Sequence, residues 1–222
     1  MKKLPVRYDI LHCLRKKKGS IRTRQFYGVR RCKRVAAVIT LSLMFSMLLS
    51  SCATAPSNPD NLCSVFAQKR GWKKHAERAQ DKWGSSVPVM MAIMHQESRY
   101  VDNARPPRKR FLGIPLWRIS SSYGYAQAKD STWKWYKDST GRRWADRDDF
   151  DDAIDFIGWY NRQTNKQNGI ALTDTYSLYL AYHEGHGGFR SGSYKQKEWL
   201  LNVAAKVRDR ANLFSRQLSS CK

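Results

Sequence analysis

The sequence predicts a mainly α-helical single domain, and three observations carry that prediction. Apolar residues recur at helical spacing from Ser64 to Phe214, residues that start or stop helices flank those stretches, and no alternating strand pattern of useful length competes. At 222 residues the chain has room for one domain plus a targeting segment, since domains usually run about 100 to 200 residues.

In chain order, residues 1–51 read as a lipoprotein signal segment. Arg30, Arg31, Lys33 and Arg34 precede an uncharged apolar run from Val35 to Leu49, the charged-then-apolar order of a secretory signal and too short to span a bilayer comfortably. The run ends in Leu49-Ser50-Ser51-Cys52. This resembles the bacterial lipobox, in which a small residue precedes the Cys whose thiol receives a diacylglycerol before cleavage; an uncleaved anchor and a plain signal peptide are the alternatives. On the lipobox reading Cys52 becomes the first residue and its acyl chains tether the protein to a membrane. Residues 1–28 are long for the charged region of a signal, so translation is expected to start nearer Val29. Residues 52–62, small, polar and carrying Pro56 and Pro59, read as a flexible tether. Residues 63–222 then form the folded domain.

Within that domain, Ser85 or Ser86 caps a helix with Pro88 in its first turn. Val89, Met90, Met91, Ile93 and Met94 make it apolar on most sides, so it should be buried and should end near Glu97. A second helix starts at Asp130 or Ser131, passes through Trp133 and Tyr136 and stops at Gly141. In a third, Asp148, Asp149, Asp151 and Asp152 favour the positive amino end, Phe150, Ile154, Ile157 and Gly158 share a face, and Lys166 and Gly169 close it. Another begins at Thr173 or Asp174 and ends before Gly185. The last carries a stripe of Trp199, Leu200, Val203, Ala204, Val207, Ala211 and Phe214 for packing against the rest. Residues 101–128 and 185–196 read as loops.

Composition bounds the partners. The chain holds 41 Lys plus Arg against 18 Asp plus Glu, a formal charge of +23, which alone would suggest a polyanion such as nucleic acid. Residues 1–51, however, hold 13 of the basic residues and one acid, which leaves the remainder near +11. That suits an acidic wall or anionic head groups, or simply a solvated surface. An export signal opposes a nucleic-acid partner. Of the five cysteines, Cys13 and Cys32 fall in the signal segment and Cys52 is assigned to lipid, leaving Cys63 and Cys221 near the ends of the domain. Chain ends often lie close together and an exported protein meets an oxidising compartment, so a disulfide between these two is expected.

Glu97 is the first candidate for chemistry. It is the only acid between Asp81 and Asp102 and closes the most apolar helix of the domain. A carboxylic acid donates a proton to a leaving sugar oxygen at neutral pH only when an apolar setting raises its pKa. On its own, a Glu at a helix end is more often an ordinary surface residue. Its companions change that balance: Glu97-Ser98, then Tyr123-Gly124-Tyr125-Ala126-Gln127, then Ala181-Tyr182-His183-Glu184-Gly185. Together and in this order they resemble the soluble lytic transglycosylase family of the lysozyme superfamily, whose motifs are a Glu-Ser pair, a Gly-Leu-Met-Gln segment and an Ala-Tyr-Asn-Ala-Gly segment. The resemblance spans residues 63–221 and is nearest the small lipoprotein branch.

The resemblance implies a lysozyme-like fold with a substrate cleft, no cofactor, and cleavage of the MurNAc–GlcNAc bond of peptidoglycan with an anhydro-muramyl product. It casts Glu97 as catalytic acid and base, with Ser98 near the acetamido group and Gly124 letting the backbone approach the glycan. Gln127 would hold substrate through its amide, and Tyr182 would place its hydroxyl near the Glu97 carboxyl. Tyr125-Ala126 stands where the family has Leu-Met, and His183-Glu184 where it has Asn-Ala, so the groove edges should differ. If Glu184 lies close to Glu97, it becomes the second carboxylate of a hydrolytic muramidase. A non-catalytic peptidoglycan-binding lipoprotein is a further alternative.

Tyr123, Tyr125, Tyr160, Tyr179 and Tyr182 are the aromatic candidates for the groove. The basic and apolar segment from Arg105 to Arg118 exceeds the family's usual spacing and reads as a flap or a solvated loop. His183-Glu184-Gly185-His186 lacks the spacing of a zinc metalloprotease motif, and Gly187-Gly188 should end any helix there, so no metal site is expected. The expected partners are peptidoglycan glycan strands, a membrane reached through the lipid anchor and envelope assembly machinery. The expected location is the cell envelope, at the periplasmic face of an outer membrane.

Overall fold

A computed structural model describes residues 55–111, 114–118 and 120–221. The signal segment, Cys52 and the first residues of the tether lie outside the described residues. Those described belong to one compact unit, Ala53–Lys222. It contains seven helices among the described residues. They are α1 (Leu62–Gln68), α2 (Trp72–Trp83), α3 (Val87–Ser98), α4 (Asp130–Thr140), α5 (Phe150–Asn168), α6 (Thr175–Ser191) and α7 (Glu198–Ser220). Strands β1 (Arg108–Phe111) and β2 (Ile114–Arg118) pair antiparallel between α3 and α4. That hairpin is a departure from the all-loop reading of residues 101–128.

Helix α3 is the centre of the domain. Ser86 is its N-cap in extended backbone and Pro88 sits in its first turn, where a missing N–H costs nothing. Val89 through His95 are buried without interruption, so the helix is walled on all sides, by α2, α5 and α7. Truncating one of its fully buried side chains, such as Met91 or Ile93, costs about 2 to 5 kcal/mol in comparable cores. The helix ends through two successive left-handed residues, Arg99 (φ 52°) and Tyr100 (φ 65°). The Ser98 hydroxyl donates to the Met94 carbonyl and accepts from the Tyr100 amide, and the Tyr100 hydroxyl donates back to Met91 O at 3.2 Å.

The other helices start and stop where local chemistry directs. Asp149 accepts from the Asp152 amide at the head of α5 and Gly169 closes it in the left-handed region. Gly141 does the same for α4, and the Asp174 side chain caps α6. Around Asp155 on α5 the helices are tied by polar contacts: its carboxylate accepts from Lys82 Nζ and Trp83 Nε1, each at 3.0 Å, and from the Tyr136 hydroxyl at 2.7 Å. A buried carboxylate needs such partners. Trp72 stacks on Phe150 with ring centroids 3.9 Å apart.

Two further expectations change. The helix from Thr175 breaks at Gly185 (φ 77°, ψ 162°), where it is expected to end, but helical structure then resumes through Gly187 and Gly188 to Ser191, inside the stretch 185–196 that reads as a loop. On α7, Leu200, Ala204, Val207, Ala211 and Phe214 are buried, but Trp199 is 56% exposed and is not part of the buried stripe. At the other end of the domain, the last part of the expected tether is docked rather than loose. Ser57 N donates to Gln68, Asp60 pairs with Arg210, and Leu62 N donates to Gln217 Oε1 at 2.7 Å. A disulfide joins Cys63 to Cys221, with Cα atoms 5.6 Å apart. Among the described residues no helix is long and apolar enough to cross a membrane.

Candidate active site

A cavity of about 420 Å³ opens at the carboxyl end of α3. Glu97 lines it together with Gln127 to Lys129, Thr132 at the start of α4, Phe156 and Tyr160 of α5, and Tyr182 to Gly185 of α6; Pro106, Ser120 and Ser122 complete the wall beside the hairpin. Segments far apart in the chain therefore converge on one carboxyl group. Glu97 keeps some surface on the cavity, but its carboxyl is packed within protein, and this burial raises its pKa to about 7. The Tyr179 hydroxyl, hydrogen-bonded to that carboxyl, opposes the rise. At neutral pH such a group is protonated about half the time, the condition for a proton donor that can also act as a base.

Tyr182 is the tyrosine expected beside Glu97, and its hydroxyl does lie within electrostatic reach of the carboxyl, but it is not the one hydrogen-bonded to it. The Tyr182 hydroxyl donates to Ala126 O at 2.6 Å, fastening α6 to the turn at residues 123–128, while Tyr179, one helical turn earlier, reaches the carboxyl. Tyr182 packs its ring against Tyr160 at 5.2 Å and Phe156 at 6.4 Å. These rings supply the apolar wall around Glu97, and burial holds the Tyr160 hydroxyl up at about 12.

Several motif residues serve the scaffold instead of the cavity. Ser98 does not line it; its hydroxyl is engaged in ending α3 and so in fixing where Glu97 points. Gly124 is buried against another loop: at φ 77°, a Cβ there would lie 2.0 Å from Arg147 O, so the close backbone approach that needs glycine is to Arg147 and not to a glycan. Tyr125, 4% exposed, packs edge-on against Trp72 and Phe150 in the core. Tyr123 lies outside the cavity lining, with its hydroxyl on Asp148 at 2.7 Å and Arg105 over its ring at 4.0 Å. Gln127 does line the cavity, in left-handed backbone (φ 47°), and donates its amide hydrogens to Ala104 O and Gly124 O at 2.9 and 2.8 Å. Its amide carbonyl is thus the group left to meet a ligand.

His183 and Glu184 both reach the cavity. Glu184 is the second carboxyl there, but it is fully engaged. Lys197 Nζ donates to both of its oxygens at 2.8 Å, Ser193 Oγ donates to one, and His183 Nδ1 lies 3.0 Å from the other. Burial acts to raise its pKa, but these hydrogen bonds and the Lys197 charge outweigh that and hold it at about 2. His186 lies behind the cavity, stacked on Tyr160 at 4.5 Å with Nε2 on Thr164 Oγ1 at 2.9 Å. His183 is thus paired with Glu184 while His186 is held apart by Thr164 and Tyr160, and among the described residues no group of three His, Cys, Asp or Glu side chains is placed to hold a metal ion.

Lys129, Thr132, Phe156, Ser120 and Ser122 line the cavity without any signal in the sequence that marks them. They come from helices and loops, where no spacing rule identifies a wall. Lys197 and Ser193, the partners of Glu184, carry no local signal either.

A mainly helical domain with a protonatable carboxyl at the end of a buried helix, facing a cavity between helices, defines a lysozyme-like architecture. A family model described as the transglycosylase SLT domain matches residues 40–221, and the chain belongs to that family. At family level it is therefore a transglycosylase-type domain whose substrate class is peptidoglycan. No curated protein and no solved structure matches the chain.

Proposed function

We propose that the protein is a lytic transglycosylase that cleaves the MurNAc–GlcNAc bond with Glu97 as its one acid and base. The observation that carries this is the contrast between the two carboxyls of the cavity: Glu97 holds its proton to about pH 7, whereas Glu184 is held ionised by Lys197 and Ser193. Hydrolases of this architecture typically use two carboxylates, one as acid and one as nucleophile or base. With both oxygens of Glu184 bound to Lys197, only one carboxyl remains for chemistry.

In the proposed reaction Glu97 gives its proton to the glycosidic oxygen as the bond to the muramic anomeric carbon breaks. The muramic acetamido oxygen stabilises the developing positive charge. Glu97, now a carboxylate hydrogen-bonded to Tyr179, takes the proton of the muramic primary hydroxyl, whose oxygen closes on the anomeric carbon to form the anhydro ring. No water is consumed, and the enzyme returns to its starting protonation state. The apolar wall of Phe156, Tyr160 and Tyr182 favours the neutral acid before the step.

Digestion of purified sacculi by wild type and by Glu97→Gln, with products read by mass spectrometry, tests the proposal. Anhydro-muramyl ends from wild type and a loss of at least about a hundredfold in the variant are expected. Reducing muramic ends alone would favour the hydrolytic reading, and equal, product-free binding by both proteins would favour a non-catalytic binder. Within the same proposal the protein is exported and held in the envelope by lipid on Cys52, a reading supported by the basic residues Arg30 to Arg34 followed by the apolar run.

A further inference from the structure

Trp199 stands at the first turn of α7, 56% exposed, while its neighbour Leu200 is fully buried. A single exposed ring is not informative by itself, but this one is fixed in place. Its ring meets that of His183 edge to face at 5.2 Å and 80°, and His183 lines the cavity that holds Glu97. His183 is oriented through Nδ1 by Glu184, and Glu184 by Lys197 and Ser193. Lys197 is the N-cap of α7, two residues before Trp199. Contacts therefore run in a closed loop, Lys197 to Glu184 to His183 to Trp199 and back along the chain. An exposed ring is held in a fixed pose at the rim of the cavity, with its indole N–H making no hydrogen bond among the described residues.

This arrangement suits the carbohydrate already proposed as substrate. The C–H face of a pyranose is apolar while its edge carries hydroxyls, so a fixed indole offers one surface for stacking and one N–H for a rim hydroxyl. Preorganisation by the salt bridge means that little side-chain entropy is lost on contact. We propose that Trp199, set by His183, is a sugar-stacking shelf that extends the cleft by one N-acetylhexosamine beyond the residue next to Glu97; this rests on the lytic transglycosylase reading. It also gives Glu184 a task as a positioning residue, holding the His183–Trp199 pair.

Two measurements test the shelf. In a Glu97→Gln background, which keeps the probe intact, chito-oligosaccharides from two to six sugars are titrated by calorimetry. Trp199→Ala is expected to lose about tenfold in affinity for the hexamer and almost none for the dimer, while Trp199→Tyr keeps most of it. With Glu97 in place, Trp199→Ala is expected to raise KM on sacculi by a similar factor at nearly unchanged kcat. Equal hexamer affinity in Trp199→Ala and its parent overturns the shelf. Wild type that releases no muropeptides overturns the proposed reaction instead, and the two failures are read from different experiments.

Discussion

Tyr179 and Tyr182 lie on one face of α6 a turn apart, and only the first hydrogen-bonds Glu97. That bond favours the carboxylate, so its removal raises the Glu97 pKa further. If Glu97 is the acid, activity fades as pH climbs through about 7, and Tyr179→Phe is expected to move this alkaline limb upward while lowering the rate roughly ten- to hundredfold. Tyr182→Phe is expected to leave the limb in place and to cost about 1 kcal/mol of stability by freeing Ala126 O. A pH–rate profile of the two variants beside a urea titration separates these outcomes. This is also the scale at which the site is hardest to read from sequence. Glu97 is legible only in company, since a Glu at a helix end is more often a surface residue and it is the Tyr123–Gln127 and Ala181–Gly185 segments that single it out. Spacing puts both tyrosines inward, but which hydroxyl reaches the carboxyl depends on side-chain torsions and on where the turn at Ala126 lies, and neither is encoded locally. Ser98, Gly124 and Tyr125 show the related point that a motif residue can serve chemistry by building the backbone under it.

Among the elements, α3, α4 and α5 are legible because punctuation and periodicity agree: Ser86 and Pro88 at one start, Asp149 at another, Gly141 and Gly169 at the stops. The hairpin is not, because its strands are only four and five residues long, the first opening on Arg108-Lys109-Arg110 and the second carrying Pro115, too short and irregular to show alternation. Helix α6 misleads for a different reason. Gly187 and Gly188 have poor helical propensity, yet six residues after the break remain helical through packing, with Phe189 stacked on Tyr194 at 5.1 Å. The actual break at Gly185 is what lets the chain turn along the cavity wall. Its backbone lies where essentially only glycine is at ease, although a Cβ added there would meet no atom within 4 Å. Gly185→Ala is therefore expected to cost about 1 to 3 kcal/mol from backbone strain alone, seen as a lower urea midpoint at unchanged slope, and to reduce sacculus digestion by displacing His183 and Glu184. Unchanged stability would mean that α6 can straighten.

For the whole molecule the decisive covalent feature is the Cys63–Cys221 bridge, which closes a loop spanning 158 positions. In the chain-entropy account a loop of that size stabilises by about 5 kcal/mol. Cys63→Ser or Cys221→Ser should therefore lower Tm by many degrees, whereas either change should leave wild-type chemistry at low temperature, because the bridge lies among α1 and the end of α7, outside the cavity lining. Thermal unfolding with and without reductant checks the first part, and sacculus digestion well below the variant's Tm checks the second. The Asp60–Arg210 pair and the Leu62–Gln217 hydrogen bond stitch the same corner without sulfur. Because the Cα atoms of Cys63 and Cys221 are 5.6 Å apart and Asp60 and Leu62 are fastened to Arg210 and Gln217, a short linker from Cys221 back to the docked segment before Leu62 would turn the domain into a ring. Circular permutants opened in the surface turn after α5 should then keep the cleft intact, and a cargo fused just before Asp60 or just after Cys221 would leave the domain from one corner.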